Sequence, residues 1–172
     1  MADFRNRKLI ANEIFLSKLS YLIALWGGCN LSLLKSLQVL QNKAARVVTK
    51  LDWSTSTAVL LKQCGWLSVH QLVVYHTVLL VFKVLQSKQP KPLYTMFSTE
   101  YSYKNTSTAR SKSIKQRGHP VLDIARDSFR WRAARYFNQL PASIKNLETS
   151  AKFKQETKAW IRANIPLHSS GV

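Results

Sequence analysis

The chain has 172 residues, with 26 Lys plus Arg against 8 Asp plus Glu, a formal net charge of +18. That length suits one domain able to bury a core, and an apolar content of 46% excludes disorder through low hydrophobicity. Five glycines and five prolines exclude a collagen-like or glycine-rich chain.

Residues Phe4 to Trp26 carry a helical period, with Ile10, Ile14, Leu19, Leu22, Ile23 and Trp26 mostly three or four residues apart, and Gly27-Gly28 as the stop. The chain opens inside this pattern, so it is expected to be a piece of something longer. Leu31 to Leu51 is the clearest helix, with Asn30 as its N-cap. Leu33, Leu37, Leu40, Ala44, Val47, Val48 and Leu51 form the stripe expected to face the core. Lys35, Gln38, Asn42, Lys43, Arg46 and Lys50 are assigned to the outer side. A capped loop over residues 52–57 leads to a short helix from Ala58 to Gln63 that ends at Gly65, a C-cap glycine. His70 to Ser87 is apolar nearly all round and predicts a central core helix. Its most apolar stretch, Leu72 to Leu85, contains His76 and Lys83, which makes it short for a clean membrane span.

Pro90 and Pro92 break that helix, and Leu93 to Phe97 suits a single turn. Residues 98–120 lack apolar periodicity and contain Lys104, Arg110, Lys112, Lys115 and Arg117, the pattern of a long basic arm with a strand around Ser113 to Arg117. Val121 to Leu140 predicts a helix with Leu122, Ala125, Phe129, Ala133, Tyr136, Phe137 and Leu140 on one stripe, closed by Pro141. A short turn holds Ile144 and Leu147, and a last helix from about Ala151 to Asn164 turns Phe153, Trp160 and Ile161 inward. The expectation is a mainly α fold, a helical bundle of about five helices with one long basic arm. Residues 1–97 form the bundle, 98–120 the arm, 121–165 a helical pair packing on it, and 166–172 a tail.

No catalytic constellation is present in this pattern. The sequence has no GxxxxGK[ST], GxSxG or HExxH motif and no adjacent Asp pair. Asp123 and Asp127 share a helix face, but Arg126 and Arg130 beside them make salt bridging the better explanation than a metal. His70 and His76 do not share a face, while His119 falls in a turn and His168 in the tail. No metal, cofactor or small-molecule substrate is expected. Cys29 and Cys64 have no CxxC spacing, lie beside apolar residues and are expected to be buried free thiols. With no signal-peptide pattern, an intracellular location, nuclear or cytoplasmic, is expected rather than secretion.

A pI near 10.3 attracts polyanions, nucleic acid before anionic membrane. Candidate phosphate contacts fall in three clusters: Lys43, Arg46 and Lys50; Lys104, Arg110, Lys112, Lys115 and Arg117; and Arg130, Arg132 and Arg135. For Lys43, Arg46 and Lys50, complementing a helix dipole is the competing explanation. Tyr101 and Tyr103 beside the arm are candidates for base stacking. Residues 101–150 hold 10 basic and 3 acidic side chains, while residues 51–100 hold 4 and 2, so the charge is concentrated in the arm and the Arg-rich helix.

Several stretches occur in a set order. They are Leu16-Ser17-Lys18-Leu19-Ser20-Tyr21, Leu25-Trp26-Gly27-Gly28-Cys29, Leu40-Gln41-Asn42-Lys43-Ala44-Ala45-Arg46 and Leu60-Leu61-Lys62-Gln63-Cys64-Gly65-Trp66-Leu67-Ser68-Val69. Tyr75-His76, Val81-Phe82-Lys83, the run from Ser128 to Pro141 and Phe153-Lys154 follow. Over about Ile10 to Ile165 this series resembles the C-terminal region of non-LTR (LINE-like) retrotransposon reverse transcriptases, which are RNA-directed DNA polymerases. The resemblance implies a helical, thumb-like region that follows the catalytic palm and holds template and primer, with RNA or DNA backbone and the palm domain as partners. The family's adjacent catalytic aspartates have no counterpart here, so the resemblance implies no polymerase activity for this chain alone. The alternatives are a stand-alone basic module binding nucleic acid or ribonucleoprotein, and a basic helix lying on a membrane surface, with the membrane the less expected partner.

Overall fold

The structure, a computed structural model, describes residues 3–98, 101–104, 111–114 and 128–167. It is mainly helical, as the periodicity predicts. In chain order the helices are α1 (Phe4–Ala11), a π-helical turn (Asn12–Leu16), α2 (Ser17–Ser20), α3 (Ile23–Trp26), α4 (Leu31–Thr49), α5 (Thr57–Cys64), α6 (Val69–Ser87) and α7 (Lys91–Ser98). After strands β1 (Tyr101–Lys104) and β2 (Ser111–Ile114) come α8 (Phe129–Gln139), α9 (Ala142–Lys145) and α10 (Ser150–Asn164). The chain divides into two compact units, and the division falls inside α6, between Val73 and Val74.

The first unit contains α1 to α5, the start of α6 and the segment from Ile165. The single helix expected over Phe4 to Trp26 is broken. Its hydrogen bonding widens to a π turn at Asn12–Leu16, where Trp66 Nε1 donates to Asn12 Oδ1 at 2.9 Å. The helix then stops at Tyr21 in an extended conformation and Leu22 in a left-handed one, with φ +51°. Leu19 and Ile23 are buried, but Ile10, Ile14 and Leu22 are exposed, because the break re-aims the second half of the stripe. Gly27 then allows a close approach, since a Cβ there would lie 2.6 Å from a Val73 methyl.

Helix α4 starts as expected, with Asn30 Oδ1 accepting from the Ser32 amide at 3.0 Å. Its inward face is not the expected one. Leu34, Gln38, Gln41, Ala45 and Val48 are buried, whereas Leu33, Leu40 and Val47 are exposed. The helix is turned by about one residue, roughly 100°, and the cause is polar. Gln41 Nε2 donates to the Leu67 carbonyl at 2.8 Å, and Gln38 Oε1 accepts from the Val69 amide at 2.9 Å. Gln38 Nε2 donates to Gln41 Oε1 and Asn42 Oδ1, and Asn42 Nδ2 to Thr57 Oγ1, so the two glutamines satisfy a buried stretch of backbone. Below them Ala45, Val48, Leu60, Leu61, Cys64 and Trp66 form an apolar cluster. Gly65 closes α5 with φ +69°, the left-handed C-cap expected of it.

The second unit contains the rest of α6, α7, the two strands and α8 to α10. Phe82 of α6 stacks on Phe153 of α10 with centroids 3.8 Å apart, and Phe97 of α7 meets Phe129 of α8 edge-on at 6.1 Å. Helix α7 is two turns rather than one, because Pro92 sits in its first turn, where a missing N–H costs nothing. The strands pair antiparallel, with Tyr101 opposite Ile114 and Tyr103 opposite Lys112, and β2 runs beside α8 and α9. Helix α8 begins at Phe129, and residues 121–127 of the expected helix lie outside the described residues. Ser128 is its N-cap, in a non-helical conformation, with Oγ accepting from the Trp131 amide. In α10, Phe153 and Ile161 are buried as expected, Trp160 is only half-buried, and Thr157, which the apolar pattern does not include, is buried between them.

Helix α6 has the length and apolarity of a membrane span by composition, so the shortfall expected of it is corrected, and half of that window is buried within the protein. Cys64 is fully buried and Cys29 only partly so; both are free.

Candidate nucleic-acid interface

The expected cationic cluster on α4 is distributed over three different environments. Lys43 is exposed on the helix, away from the buried glutamines. Lys50 is exposed where α4 closes, in a left-handed conformation with φ +57°, its amide donating to the Arg46 carbonyl at 2.7 Å. Arg46 is half-buried and engaged. Its Nη2 donates to the carbonyls of Trp53 at 3.1 Å and Thr55 at 3.4 Å, and its guanidinium lies 4.5 Å from the centroid of the Trp53 ring. Two of the three α4 cations are therefore presented on the surface, and the third organises the loop that follows.

That loop is held from within. Asp52 Oδ1 accepts from the Trp53 amide at 2.6 Å, and Asp52 Oδ2 accepts from the Ser54 hydroxyl at 3.0 Å. The Thr55 amide closes the turn on the Asp52 carbonyl at 3.1 Å. The Trp53 side chain, fixed at its backbone and backed by Arg46, is nevertheless 69% exposed. The sequence pattern predicts a capped loop here and does not single out the tryptophan. The available signal was an indole in a polar Asx-type turn seven residues after an arginine.

In the second unit, α8 presents Arg130 and Arg135 on its exposed side, and the Arg135 guanidinium lies 5.3 Å from the Trp131 ring centroid. Arg132 is 6% exposed and belongs to the interior of α8, which removes it from the expected phosphate-contact face. Lys104 and Lys112 fall on β1 and β2, and Lys112 pairs with Tyr103 in the strand register. Arg110, Lys115, Arg117, His119, Asp123, Asp127 and His168 lie outside the described residues.

The shifted titrations share one cause. Burial raises the pKa of the Cys64 thiol, with Lys8 opposing, and of the Tyr75 hydroxyl. Burial, then Lys83, lowers His76. Burial also lowers Lys145, whose ammonium donates to the Asn138 carbonyl at 2.9 Å. Cys64 and Lys145 are buried and Tyr75 and His76 half-buried, so desolvation leads every one of these shifts. Among the described residues no group of three or more His, Cys, Asp or Glu side chains is placed to hold a metal. Among the described residues the arrangement presents exposed cations and one exposed indole. The chain matches no family model, no curated protein and no solved structure.

Proposed function

We propose that this chain is a nucleic-acid-gripping region, the template- and primer-holding C-terminal part of a non-LTR retrotransposon reverse transcriptase, without polymerase activity of its own. The observation that carries the reading is the charge: +18 over 172 residues. Such an excess weakens a compact fold by self-repulsion and is offset when a polyanion binds. The ordered sequence motifs support the family reading, and the exposed Lys43, Lys50, Arg130 and Arg135 are suited to sequence-independent contacts. The lack of an adjacent aspartate pair removes the two-metal chemistry of the parent polymerases.

Fluorescence anisotropy with single-stranded RNA tests the reading. Binding is expected near 0.1 M salt with a steep salt dependence. The double variant Lys43→Gln/Lys50→Gln is expected to weaken all sequences alike and to reduce the slope of log K against log salt by about 2, roughly one per lost phosphate contact. Absence of salt-sensitive RNA binding by the unaltered chain overturns the proposal. Robust primer extension with Mg²⁺ overturns the absence of catalysis.

A further inference from the structure

We infer that Trp53 is a stacking platform for an unpaired nucleobase, with Arg46 fixing the indole from behind. The inference rests on the nucleic-acid reading above and goes further by naming a residue, a contact and a strand state. Three observations converge on it. The ring is 69% exposed, in a loop held on Asp52 by two backbone amides, those of Trp53 and Thr55, and by the Ser54 hydroxyl. Its position is set by a guanidinium 4.5 Å from the ring centroid, itself anchored on the carbonyls of Trp53 and Thr55. Exposed Lys43 and Lys50 lie on the helix that delivers Arg46, one turn before it and one turn after it.

Each observation has a physical consequence. An indole left largely in water forgoes the burial that usually places tryptophan inside. A cation against one face leaves the other as the site for a planar partner. Holding the loop beforehand removes part of the ordering cost of binding. Bases present such a face only when unpaired, and every base has one, so the platform selects single strands without selecting sequence. The neighbouring lysines supply the phosphate attraction that brings the strand in.

The test separates stacking from charge. The intact chain is titrated with oligouridine, with the same-length abasic oligonucleotide and with duplex RNA, over a range of salt. Trp53→Ala is expected to weaken oligouridine binding by about tenfold, within the range for loss of one aromatic–base stack. Its salt slope should be unchanged, and its binding to abasic strand and duplex should equal that of the unaltered chain. Trp53→Phe is expected to recover most of the loss, and Trp53→Leu, of similar apolarity but without a π-face, little of it. Equal oligouridine affinities for the unaltered chain and Trp53→Ala overturn the inference while leaving the nucleic-acid reading intact. An equal loss on the abasic strand also overturns it, since the tryptophan would then act only through the loop. Failure of the unaltered chain to bind any of the three probes overturns the underlying reading instead. Thermal melts of the three variants guard against misfolding, and Phe against Leu decides the matter if Ala disturbs the loop.

Discussion

Helices α4 and α6 are both 19 residues long, and they bury themselves by different chemistry. Helix α6 puts Val69, Val73, Val74, Val78, Leu79, Val81, Phe82 and Val84 into the interior; its buried glutamine, Gln71, is confined to the first turn, where Oε1 accepts from the Ser68 amide and Nε2 donates to the Ile165 carbonyl, and past that turn the buried face is almost wholly apolar. Helix α4 buries Gln38 and Gln41 and leaves Leu33, Leu40 and Val47 in water. Its rotation is decided by two backbone groups far along the chain, the Leu67 carbonyl and the Val69 amide, that need partners. Burying three leucine-class side chains would gain about 1.5–3 kcal/mol each. An unpaired buried amide or carbonyl costs about 1–3 kcal/mol. These terms are of the same size, so the leucine period alone does not determine which face turns inward.

Among substitutions that keep the inward face of α4 uncharged, the largest break in this comparison is expected from Gln41→Leu. The substitution makes α4 more apolar on its inward face, so a purely hydrophobic account predicts stabilisation. The hydrogen-bond account predicts the reverse, because the Leu67 carbonyl and a Gln38 amide proton lose their partners in a fully buried position. A loss of about 2–3 kcal/mol is expected in urea unfolding, the cost of leaving such groups unsatisfied. A gain in stability would show that the leucine period, and not the glutamines, sets the rotation.

The legibility of the fold follows the same division. Helix α6, Asn30 as an N-cap, Gly65 as a C-cap and the Phe153 and Ile161 face of α10 are readable because each is a local pattern with one physical solution. The inward face of α4 is not readable, since Leu67 and Val69 lie 26 and 31 residues away from the glutamines they meet. The break at Leu22 is hidden for a related reason: no glycine marks the left-handed position. Of the candidate site, the cations were legible as charge but not as exposure. Lys43 and Lys50 face water, Arg46 is spent on a loop, and Arg132 is interior. For Trp53 the sequence offers only a weak signal, a polar Asx-type turn seven residues after an arginine, and that spacing does not by itself distinguish an indole that packs from one that a cation holds in the open.

A smaller effect of opposite sign is expected in α6. Its buried Thr77 carries a hydroxyl without a hydrogen-bond partner among the described residues, the converse of the satisfied glutamines in α4. Thr77→Val exchanges that hydroxyl for a methyl of nearly the same shape. Removal of the unsatisfied group should raise stability by about 1 kcal/mol, read as a higher urea midpoint with an unchanged m-value. Destabilisation would mean that the hydroxyl is satisfied by bound water, and the middle of α6 would then depend on polar bonding as its first turn does at Gln71.

The smallest effect is expected at Val47, and it is the most direct test of how α4 is turned. Val47 and Val48 are consecutive, share one chemistry and belong to the same predicted stripe, yet Val47 is 70% exposed and Val48 1%. Val47→Lys places a cation on a surface that already carries Lys43 and Lys50, and a change within about 0.5 kcal/mol is expected, as for ordinary surface substitutions. Val48→Lys puts the same ammonium among Ala45, Leu60, Leu61 and Cys64, where an unpaired buried charge costs several kcal/mol or unfolds the unit. The added cation makes the pair informative for function as well. If Val47→Lys leaves stability unchanged and tightens RNA binding slightly while steepening its salt slope, the exposed side of α4 faces the polyanion. If it destabilises the chain as much as Val48→Lys does, the leucine stripe is the buried one, and the glutamine network is not what orients the helix.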